Sequence, residues 1–339
     1  MLLRQVATVW LFLIMSFTAR AETLVVAAPF TEFPALASQI LDGAKAAVTG
    51  SWTVKAVDAG CTAEAASGSA DLILAERPDA VIGLPCIESL SQVLNTLGPI
   101  GIPIFTIGSR ADAPSKLANK NSWHLYRTGP REREEITELA RLIVEAWRAF
   151  PFAILNDGTI FARDTAEAIR NEAENAGLKP VLFEGFQPQL ESQTQLIDKI
   201  TASGATHVFI ASDRANTAQI ATQAENRGLT FAGSETLRAS DLDFPLPAGV
   251  LMVTRDINLA PVATEKIKAI RQSQFEFAEG YAADAFVAAE MAMALKNDAS
   301  ARSFNTAMGQ VKFGQDGFIE PVNFAFFRYD GFAFQKVLP

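Results

Sequence analysis

Short apolar segments that alternate with amphipathic helical segments run through this chain and constrain its fold more than any other feature. The predicted strands are residues 24–30, 52–57, 80–84, 102–107, 152–156, 180–186, 207–212 and 249–254. The predicted helices between them are residues 33–48, 62–75, 89–97, 132–147, 165–176, 191–202 and 214–226. Short, largely apolar strands separated by helices are typical of parallel sheets covered on both faces. We therefore predict an α/β protein built from parallel sheets.

The alternating series occurs twice, at residues 24–107 and 132–254, which predicts two doubly wound lobes. Three helical segments then follow one another at residues 262–274, 280–296 and 301–308. After them, two strands at residues 322–328 and 332–337 flank the dipeptide Asp330-Gly331, which favours a tight hairpin. Because the three helices do not continue the second series, we expect the chain to return to the first lobe and to end on the second.

Residues 1–21 have the parts of a secretory signal peptide. Arg4 precedes an apolar run at residues 6–17, and Ala19-Arg20-Ala21 matches the small-residue cleavage pattern. A membrane anchor and a buried first helix are the alternatives, but the run is short for a span of about 20 residues. We predict export and cleavage after Ala21. No other apolar stretch reaches about 18 residues, so we expect a soluble mature chain.

The mature chain would be strongly acidic, which limits its partners. The formal net charge is −9, and removal of Arg4 and Arg20 lowers it by two to −11. Binding to nucleic acid depends on Lys and Arg that neutralise phosphates, so no nucleic-acid partner is expected. The chain is 49% hydrophobic and 20% charged, a composition that fits a folded protein with a large core.

Two cysteines, Cys61 and Cys86, lie beyond the predicted cleavage site. Two thiols in an exported chain most simply form a disulfide, which would stabilise the fold by roughly 3.5 kcal/mol. A metal site is the competing interpretation, but the sequence has no second cysteine pair, and His124 and His207 are remote from both cysteines. We expect neither a metal ion nor another cofactor.

Motifs of common enzyme classes are missing from the sequence. There is no G-x-S-x-G, H-E-x-x-H or phosphate-loop pattern. His124 and His207 are the only histidines, and we expect each to have a structural or surface role. A pair of carboxylates among the 38 acidic residues could still act in acid–base catalysis, so an exported enzyme with such a site stays an alternative. The favoured interpretation is a binding protein without catalytic activity.

In open parallel sheets, ligands bind beyond the carboxyl ends of the strands, where the N–H groups of helix N-termini favour carboxylates. Five loops of this chain lie at such ends. Their candidate ligand-binding residues are Ile87, Glu88, Ser89, Gly108, Ser109, Arg110, Phe161, Asp213 and Glu235. Several of these also have an ordinary structural interpretation. The alternatives are helix caps for Ser89 and Asp213, a surface pair with Asp112 for Arg110, the core for Phe161 and an exposed loop for Glu235.

Six segments carry a resemblance to a known family. They are DAGCT at 58–62, VIGLPC at 81–86, GIPIFT at 101–106, YRTG at 126–129, AILNDGTIF at 153–161 and GYAADA at 280–285. In this order they resemble the periplasmic leucine/isoleucine/valine-binding proteins, the type I solute-binding proteins of ABC importers. No segment is diagnostic alone. Their order, together with a spacing of Cys61 and Cys86 that is similar to the family's disulfide, makes the resemblance fairly specific over nearly all of the mature chain.

The resemblance implies two lobes that are joined by three crossings and close on a ligand in the cleft. Lobe one would comprise residues 22–128 and 256–322, and lobe two residues 129–255 and 323–339. It also implies a monomeric periplasmic protein that binds a small molecule and delivers it to an ABC permease in the inner membrane. A sensor subunit that presents its ligand to a receptor is an alternative with the same fold. The lack of a fused signalling domain favours delivery.

Carried over residue by residue, the resemblance changes the weight of several candidates. Ile87 and Arg110 stand where the family has hydroxyl side chains that hold the ligand carboxylate, and Gly108 keeps a small residue that offers backbone contacts. Glu235 stands where the family has the acid that meets the ligand ammonium. The other matches are Phe161 for a tyrosine of the pocket wall, Asp213 for another aromatic residue, and Leu36 for an aromatic residue that covers the ligand side chain.

The residues at positions 87 and 110 argue against a standard branched-chain amino acid as the ligand. Ile87 and Arg110 remove two neutral donors, and Arg110 could instead bind a carboxylate bidentately. We expect a small polar solute with an amine or amide near Glu235 and a carboxylate near Arg110.

Overall fold

The computed structural model describes residues 20–188, 190–239, 245–271 and 280–337, so the predicted signal peptide lies almost wholly outside the described residues. The elements of the first part are β1 Thr23–Ala28, α1 Pro34–Ala47, β2 Thr53–Asp58, α2 Ala63–Ala66, α3 Ser69–Ala75, β3 Ala80–Gly83, α4 Ile87–Leu97, β4 Ile104–Thr106, α5 Ala113–Asn121 and β5 Leu125–Arg127. The five strands form a parallel sheet in the order β2-β1-β3-β4-β5. This is the doubly wound arrangement predicted for the first lobe.

The second part repeats the alternation of strand and helix. Its elements are α6 Glu132–Ala146, β6 Phe152–Asn156, α7 Ile160–Asn175, β7 Leu182–Gly185, α8 Thr194–Ala202, β8 His207–Ala211, α9 Arg214–Gln223, β9 Thr230–Gly233 and β10 Leu251–Arg255. The strands from β6 to β10 pair in parallel. Two lobes of the same α/β type are therefore present, as predicted.

The remaining chain returns to the first lobe before it ends on the second. Its elements are α10 Pro261–Arg271, α11 Gly280–Leu295, β11 Ser303–Thr306, β12 Gly309–Phe313, β13 Ile319–Glu320, β14 Phe324–Tyr329 and β15 Phe334–Val337. Helix α11 packs along α1, and Gly43 permits this close approach because a Cβ there would clash with the backbone of Ala282. The end of the helix predicted at 262–274, residues 272–274, lies outside the described residues.

The last two strands complete the second sheet, whose order is β15-β14-β10-β9-β8-β6-β7. Strands β14 and β15 form the predicted hairpin around Asp330-Gly331, and β14 pairs antiparallel with β10. Within the described residues the chain passes between the lobes three times, after β5, after β10 and after β13. Two of these passages are joined, because the N–H of Asp256 donates to the carbonyl of Asn323 at 2.7 Å. The exact lobe boundaries at residues 128, 255 and 322 stay a prediction.

The helix predicted at residues 301–308 is wrong. Strands β11 and β12 pair antiparallel across a turn at Ala307 and Met308, and β13 extends them to a three-stranded sheet. Phe304, Val311 and Phe313 are buried in the core of the first lobe, whereas their sequence neighbours are mostly exposed. Burial on alternate residues thus prevails over the local helix-forming tendency. The helix predicted at 62–75 is also interrupted, since α2 and α3 are separate.

Apolar side chains fill both faces of the first sheet. Val26 and Phe105 pack with α1 and α11 on one face, whereas Val25 and Ile104 pack with α3 and α4 on the other. Every residue of β1 and β3 is buried. Two further clusters cover the second sheet in the same way. The strands are therefore covered on both faces, as their composition predicts.

The predicted disulfide is confirmed. Cys61 and Cys86 are bonded, with their Cα atoms 5.1 Å apart. The bond joins the loop after β2 to the residue that precedes α4, so it fixes a loop at the carboxyl end of the first sheet. Among the helices that the structure describes, none has both the length and the apolar composition needed to cross a membrane.

Candidate functional site

Charged side chains from both lobes converge between the carboxyl ends of the two sheets, and we call three of them, Arg110, Glu135 and Glu235, the cleft cluster. Arg110 follows β4 in the first lobe, whereas Glu135 lies in the first turn of α6 and Glu235 follows β9 in the second lobe. Arg110 Nε donates to Glu135 Oε2 at 2.8 Å, and Nη2 donates to Oε1 at 3.3 Å. Nη2 also lies 3.9 Å from Glu235 Oε2. One guanidinium therefore joins two carboxylates across the cleft.

Two aromatic rings, those of Phe161 and Tyr281, lie close to the cleft cluster. The guanidinium carbon of Arg110 lies 4.8 Å from the ring centroid of Phe161, a cation–π contact. Tyr281, in the first turn of α11, packs against Gly108, where a Cβ would lie 3.0 Å from the tyrosine ring. The φ of Gly108 is +85°, so glycine suits this position for its conformation as well as its size.

Arg127, the last residue of β5, holds the loop that carries Arg110. Its guanidinium donates to the carbonyl of Ser109, to the carbonyl of Ala111 at 2.5 Å and to Ser115 Oγ at 3.2 Å. These two carbonyls flank Arg110, so the backbone on both sides of it is fixed. Arg127 is almost fully buried, and this burial lowers its pKa to about 10.

Glu235 begins a short 3₁₀ turn, residues 235–238, at the end of β9. Thr236 Oγ1 donates to the carbonyl of Ser212 at 2.7 Å, which ties the turn to the end of β8. Tyr281 faces this turn from the other lobe. Burial raises the pKa of Tyr281, and the charge of Glu235 raises it further. The phenol therefore keeps its proton, and its hydroxyl stays available as a hydrogen-bond donor at the cleft.

The loop after β6 positions Phe161 through a chain of side-chain hydrogen bonds. Thr159 caps α7 by accepting from the N–H of Ala162 at 3.3 Å. Asp157 Oδ1 accepts from the N–H of Thr159 at 2.9 Å, and Asp157 Oδ2 accepts from Ser212 Oγ at 2.8 Å. The first turn of α7, with Phe161 in it, is thus anchored to the ends of β6 and β8.

Burial and charge act in opposite directions on the cleft cluster. Burial raises the pKa of Glu135, Arg110 lowers it in part, and the neighbouring Glu235 raises it again, so the pKa stays above its ordinary value. For Arg110, burial lowers the pKa, but Glu135 and Glu235 more than offset this, so the pKa is raised. With both carboxyl groups ionised, the three side chains carry a net charge of −1.

A second group of buried charges lies at the hinge, and we call Arg238, Arg255 and Asp284 the hinge cluster. Asp284 Oδ2 lies 3.2 Å from Arg238 Nη1, and Asp284 Oδ1 pairs with Arg255 Nη2. Asp284 belongs to α11 of the first lobe, whereas Arg255 ends β10 of the second, immediately before the chain crosses. All three side chains are at most 5% exposed. These ion pairs tie α11 to the second lobe.

The structure brings four predicted residues together, Gly108, Arg110, Phe161 and Glu235, with Ser109 in the same loop. The Arg110 partner is Glu135, so the alternative of a surface pair with Asp112 is wrong. Ser109 is buried, and among the described residues its hydroxyl has no hydrogen-bond partner.

The other predicted residues have local contacts. Leu36 packs against the core of the first lobe, and Ile87 and Glu88 begin α4 half-buried. Ser89 is fully buried, and its hydroxyl donates to the carbonyl of Cys86 at 3.3 Å, so Cys86 and not Ser89 is the N-cap. Asp213 caps α9 by accepting from the N–H of Asn216 at 2.8 Å, which confirms its structural interpretation. The part of these residues in ligand binding stays a prediction.

Sequence patterns did not single out Glu135 or Tyr281. Glu135 is one of three acidic residues in the first turn of α6, where acidic residues commonly stabilise a helix start. Tyr281 lies in the GYAADA segment, which pointed to the family but not to the site. Only the fold shows that both face Arg110. In the described part of the chain, no group of three or more His, Cys, Asp or Glu side chains is placed to hold a metal ion.

Comparisons with known proteins agree with this fold. An amino acid binding protein of Pseudomonas aeruginosa is 23% identical over 297 residues, which are 82% of this chain and 78% of the relative. The branched-chain amino acid transporter substrate-binding protein of Streptococcus pneumoniae, in complex with isoleucine, has a TM-score of 0.73 at 14% identity and covers 94% of this chain and 100% of its own. A solute-binding protein of R. palustris, in complex with 4-hydroxybenzoate, has a TM-score of 0.69 at 15% identity, with 94% and 96% covered.

The sequence profile of one family covers most of the chain. The profile of the periplasmic binding proteins matches residues 53–338, which span both lobes and all three passages between them. The chain therefore belongs to the periplasmic binding protein family.

Proposed function

We propose that this chain is an exported solute-binding protein that holds a small polar solute between its lobes and passes it to the permease of an ABC importer. The observation that carries this proposal is the meeting of Arg110 from one lobe with Glu135 and Glu235 from the other. Charged groups that converge from two lobes let a small ligand couple its binding to closure. The relatives that bind amino acids or 4-hydroxybenzoate support a small organic solute as the cargo.

The part of the solute that contacts Glu235 is an amine or an amide. Glu235 is buried, and among the described residues no donor lies within hydrogen-bonding distance of its carboxylate. Arg110 Nη2, at 3.9 Å, attracts it by charge alone. Buried carboxylates require donors, and an ammonium or amide N–H of a solute would supply them.

Binding can be tested with the mature protein, residues 22–339, by thermal shift and calorimetry. The panel would contain amino acids, hydroxybenzoates, amines and amides. We expect an amine or amide to bind with one-to-one stoichiometry and to raise Tm. Glu235→Gln should weaken that binding about a hundredfold, because a charged hydrogen bond contributes about 1.5–3 kcal/mol. Glu225→Gln, an exposed change in the same lobe, should leave the affinity unchanged.

A Glu235→Gln protein with full affinity for every bound amine would remove Glu235 from the site. Conversion of a bound solute to a product, followed by mass spectrometry of the recovered ligand, would replace the proposed carrier function with an enzymatic one. A neighbouring histidine kinase gene in place of permease and ATPase genes would favour the sensor function.

Export and oligomeric state are further parts of the proposal. The intact mass of protein extracted from the periplasm should correspond to a chain that begins at Glu22. Light scattering of the purified mature protein should give the mass of a monomer. A mass that includes residues 1–21 would show that the N-terminal segment is retained as an anchor.

A further inference from the structure

Arg110, the residue expected to bind a ligand carboxylate, already holds the carboxylate of Glu135. We propose that Glu135 determines specificity, because it occupies the place at Arg110 that the carboxylate of a solute would otherwise take. The cleft would then select solutes that carry an amine or amide but no carboxylate. This inference rests on the proposed binding function and names the solute class for it. It also revises the expectation, drawn from the sequence, of a ligand carboxylate near Arg110.

The geometry of the pair supports this role. Both carboxylate oxygens of Glu135 bond to Arg110, one to Nε at 2.8 Å and the other to Nη2 at 3.3 Å. This is the side-on bidentate arrangement in which arginine binds carboxylates most strongly. Nη2 also faces Glu235 at 3.9 Å. Two of the three nitrogens of the Arg110 guanidinium therefore already have a carboxylate nearby when the carboxylate of a solute arrives.

The charge balance of the cleft points the same way. One guanidinium faces two carboxylates, and Glu132, in the same helical turn as Glu135, also lies within the field of Arg110. Arg127 and Arg238 also act on groups at the cleft, but Arg127 is held by the carbonyls of Ser109 and Ala111, and Arg238 pairs with Asp284. A third carboxylate would be repelled, whereas a cationic or neutral donor would be attracted.

Burial makes the internal pair hard to displace. Glu135 is only 1% exposed, so release of its carboxylate from Arg110 would leave a buried charge without its partner. Arg127 fixes the backbone on both sides of Arg110, which limits how far the guanidinium can turn toward a ligand. A solute carboxylate would therefore have to compete with a fixed internal one.

Matched pairs of probes test this inference directly. In each pair a carboxamide replaces the carboxylate: leucinamide is compared with leucine, and 4-hydroxybenzamide with 4-hydroxybenzoate. Calorimetry would give their affinities for the wild-type mature protein, for Glu135→Gln and for Glu145→Gln. Glu145 is a matched control, because it is an exposed carboxylate that pairs with Arg141 on the same helix. Circular dichroism would check that the nearly isosteric glutamine variant is folded.

The wild-type protein should bind the amide member of a pair at least tenfold more tightly than the carboxylate member. Glu135→Gln should shift this ratio about a hundredfold toward the carboxylate, and Glu145→Gln should leave it unchanged. If the wild-type protein bound the carboxylate members more tightly, the inference would be wrong, although the proposed function would stand. The same holds if Glu135→Gln left the ratio of amide to carboxylate affinity unchanged. Binding of no probe by any of the three proteins would overturn the proposed function and the inference with it.

Discussion

The cleft cluster and the hinge cluster use the same ion-pair chemistry, but one is built around an arginine and the other around an aspartate. In the cleft, one arginine whose side chain is 20% exposed meets two glutamates whose side chains are 1% and 5% exposed. At the hinge, among the described residues, two arginines meet the single carboxylate of Asp284, and all three side chains are at most 5% exposed. Only the arginine of the cleft cluster is partly open to solvent, so a solute can reach this cluster, whereas the hinge cluster is positioned to hold the two lobes together.

The two clusters are built from the same two segments. Glu235 and Arg238 lie three residues apart in one short turn, and Tyr281 and Asp284 lie three residues apart in the first turns of α11. Arg238 also approaches Tyr281, with its guanidinium carbon 5.7 Å from the ring centroid. A movement of either segment would therefore change the contacts in both clusters. A substitution in the hinge cluster can leave a guanidinium with a weaker partner, whereas a substitution in the cleft cluster changes what Arg110 can bind.

The largest expected effect is on stability, from Asp284→Asn at the hinge. The substitution removes the carboxylate that pairs with both Arg238 and Arg255 and leaves buried guanidinium groups with a weaker partner. Breaking a buried ion pair from one side typically costs about 3–5 kcal/mol. We expect a loss of that size in the free energy of unfolding, measured by urea denaturation of the ligand-free protein.

Asp198→Asn is the matched control for the hinge, because Asp198 pairs with Arg227 on the surface at 3.2 Å. Exposed pairs contribute about 0–1 kcal/mol, so this variant should unfold almost like the wild type. A loss below about 1 kcal/mol for Asp284→Asn would mean that the hinge cluster does not hold the lobes together. The contrast with the cleft cluster would then fail.

The sequence predicted the architecture well because the architecture depends on local patterns. Strands such as 80–83 are apolar throughout, and helix caps such as Asp213 act on the next turn of their own chain. The prediction of a helix at 301–308 failed because the structure of this segment does not depend on a local pattern. It depends on the pairing of Phe304 with Val311 and on burial against α11, and both partners lie outside the segment.

Two of the three residues of the cleft cluster could be predicted in the same way. Arg110 and Glu235 follow strands, and the carboxyl ends of parallel strands mark a binding edge. The partner of Arg110 could not be predicted, because Glu132, Glu134 and Glu135 are equivalent in sequence. Only the orientation of α6 after the first passage between the lobes decides that Glu135 turns inward. Pairings across a hinge therefore need the fold.

The second prediction concerns how the cleft cluster is supported. Arg127 holds the carbonyls of Ser109 and Ala111, so Arg127→Met should free the loop that carries Arg110. Two carbonyls without donors should cost about 1–3 kcal/mol of stability. If Arg127 positions Arg110, the variant should also bind an amine or amide about tenfold more weakly and lose part of its preference against carboxylates.

Arg141→Met, an exposed arginine change on α6, is the control for this variant. Arg127→Lys keeps the charge and one set of donors, and it should restore part of the preference. Lower stability with an unchanged ratio of amide to carboxylate affinity would assign Arg127 a structural role only. The cleft cluster would then be independent of β5.

The smallest expected effect is the pH dependence that Glu135 gives to stability. Burial raises the pKa of Glu135 above its ordinary value of 4.5, and Arg110 offsets this only in part. The folded protein therefore holds this proton more tightly than the unfolded chain does. As pH rises above 4.5, the unfolded chain ionises first, so the contribution of Glu135 to stability should fall until its folded pKa is passed.

Urea denaturation of the wild type and of Glu135→Gln across this pH range isolates the contribution, because glutamine does not titrate. The difference in unfolding free energy, wild type minus variant, should decrease with rising pH. Glu145→Gln provides the reference, since its carboxylate is exposed. A difference that increases with pH would mean that Arg110 stabilises the ionised form more than burial opposes it. The cleft pair would then be a net stabilising ion pair, like those expected at the hinge, and the energetic contrast between the two clusters would disappear.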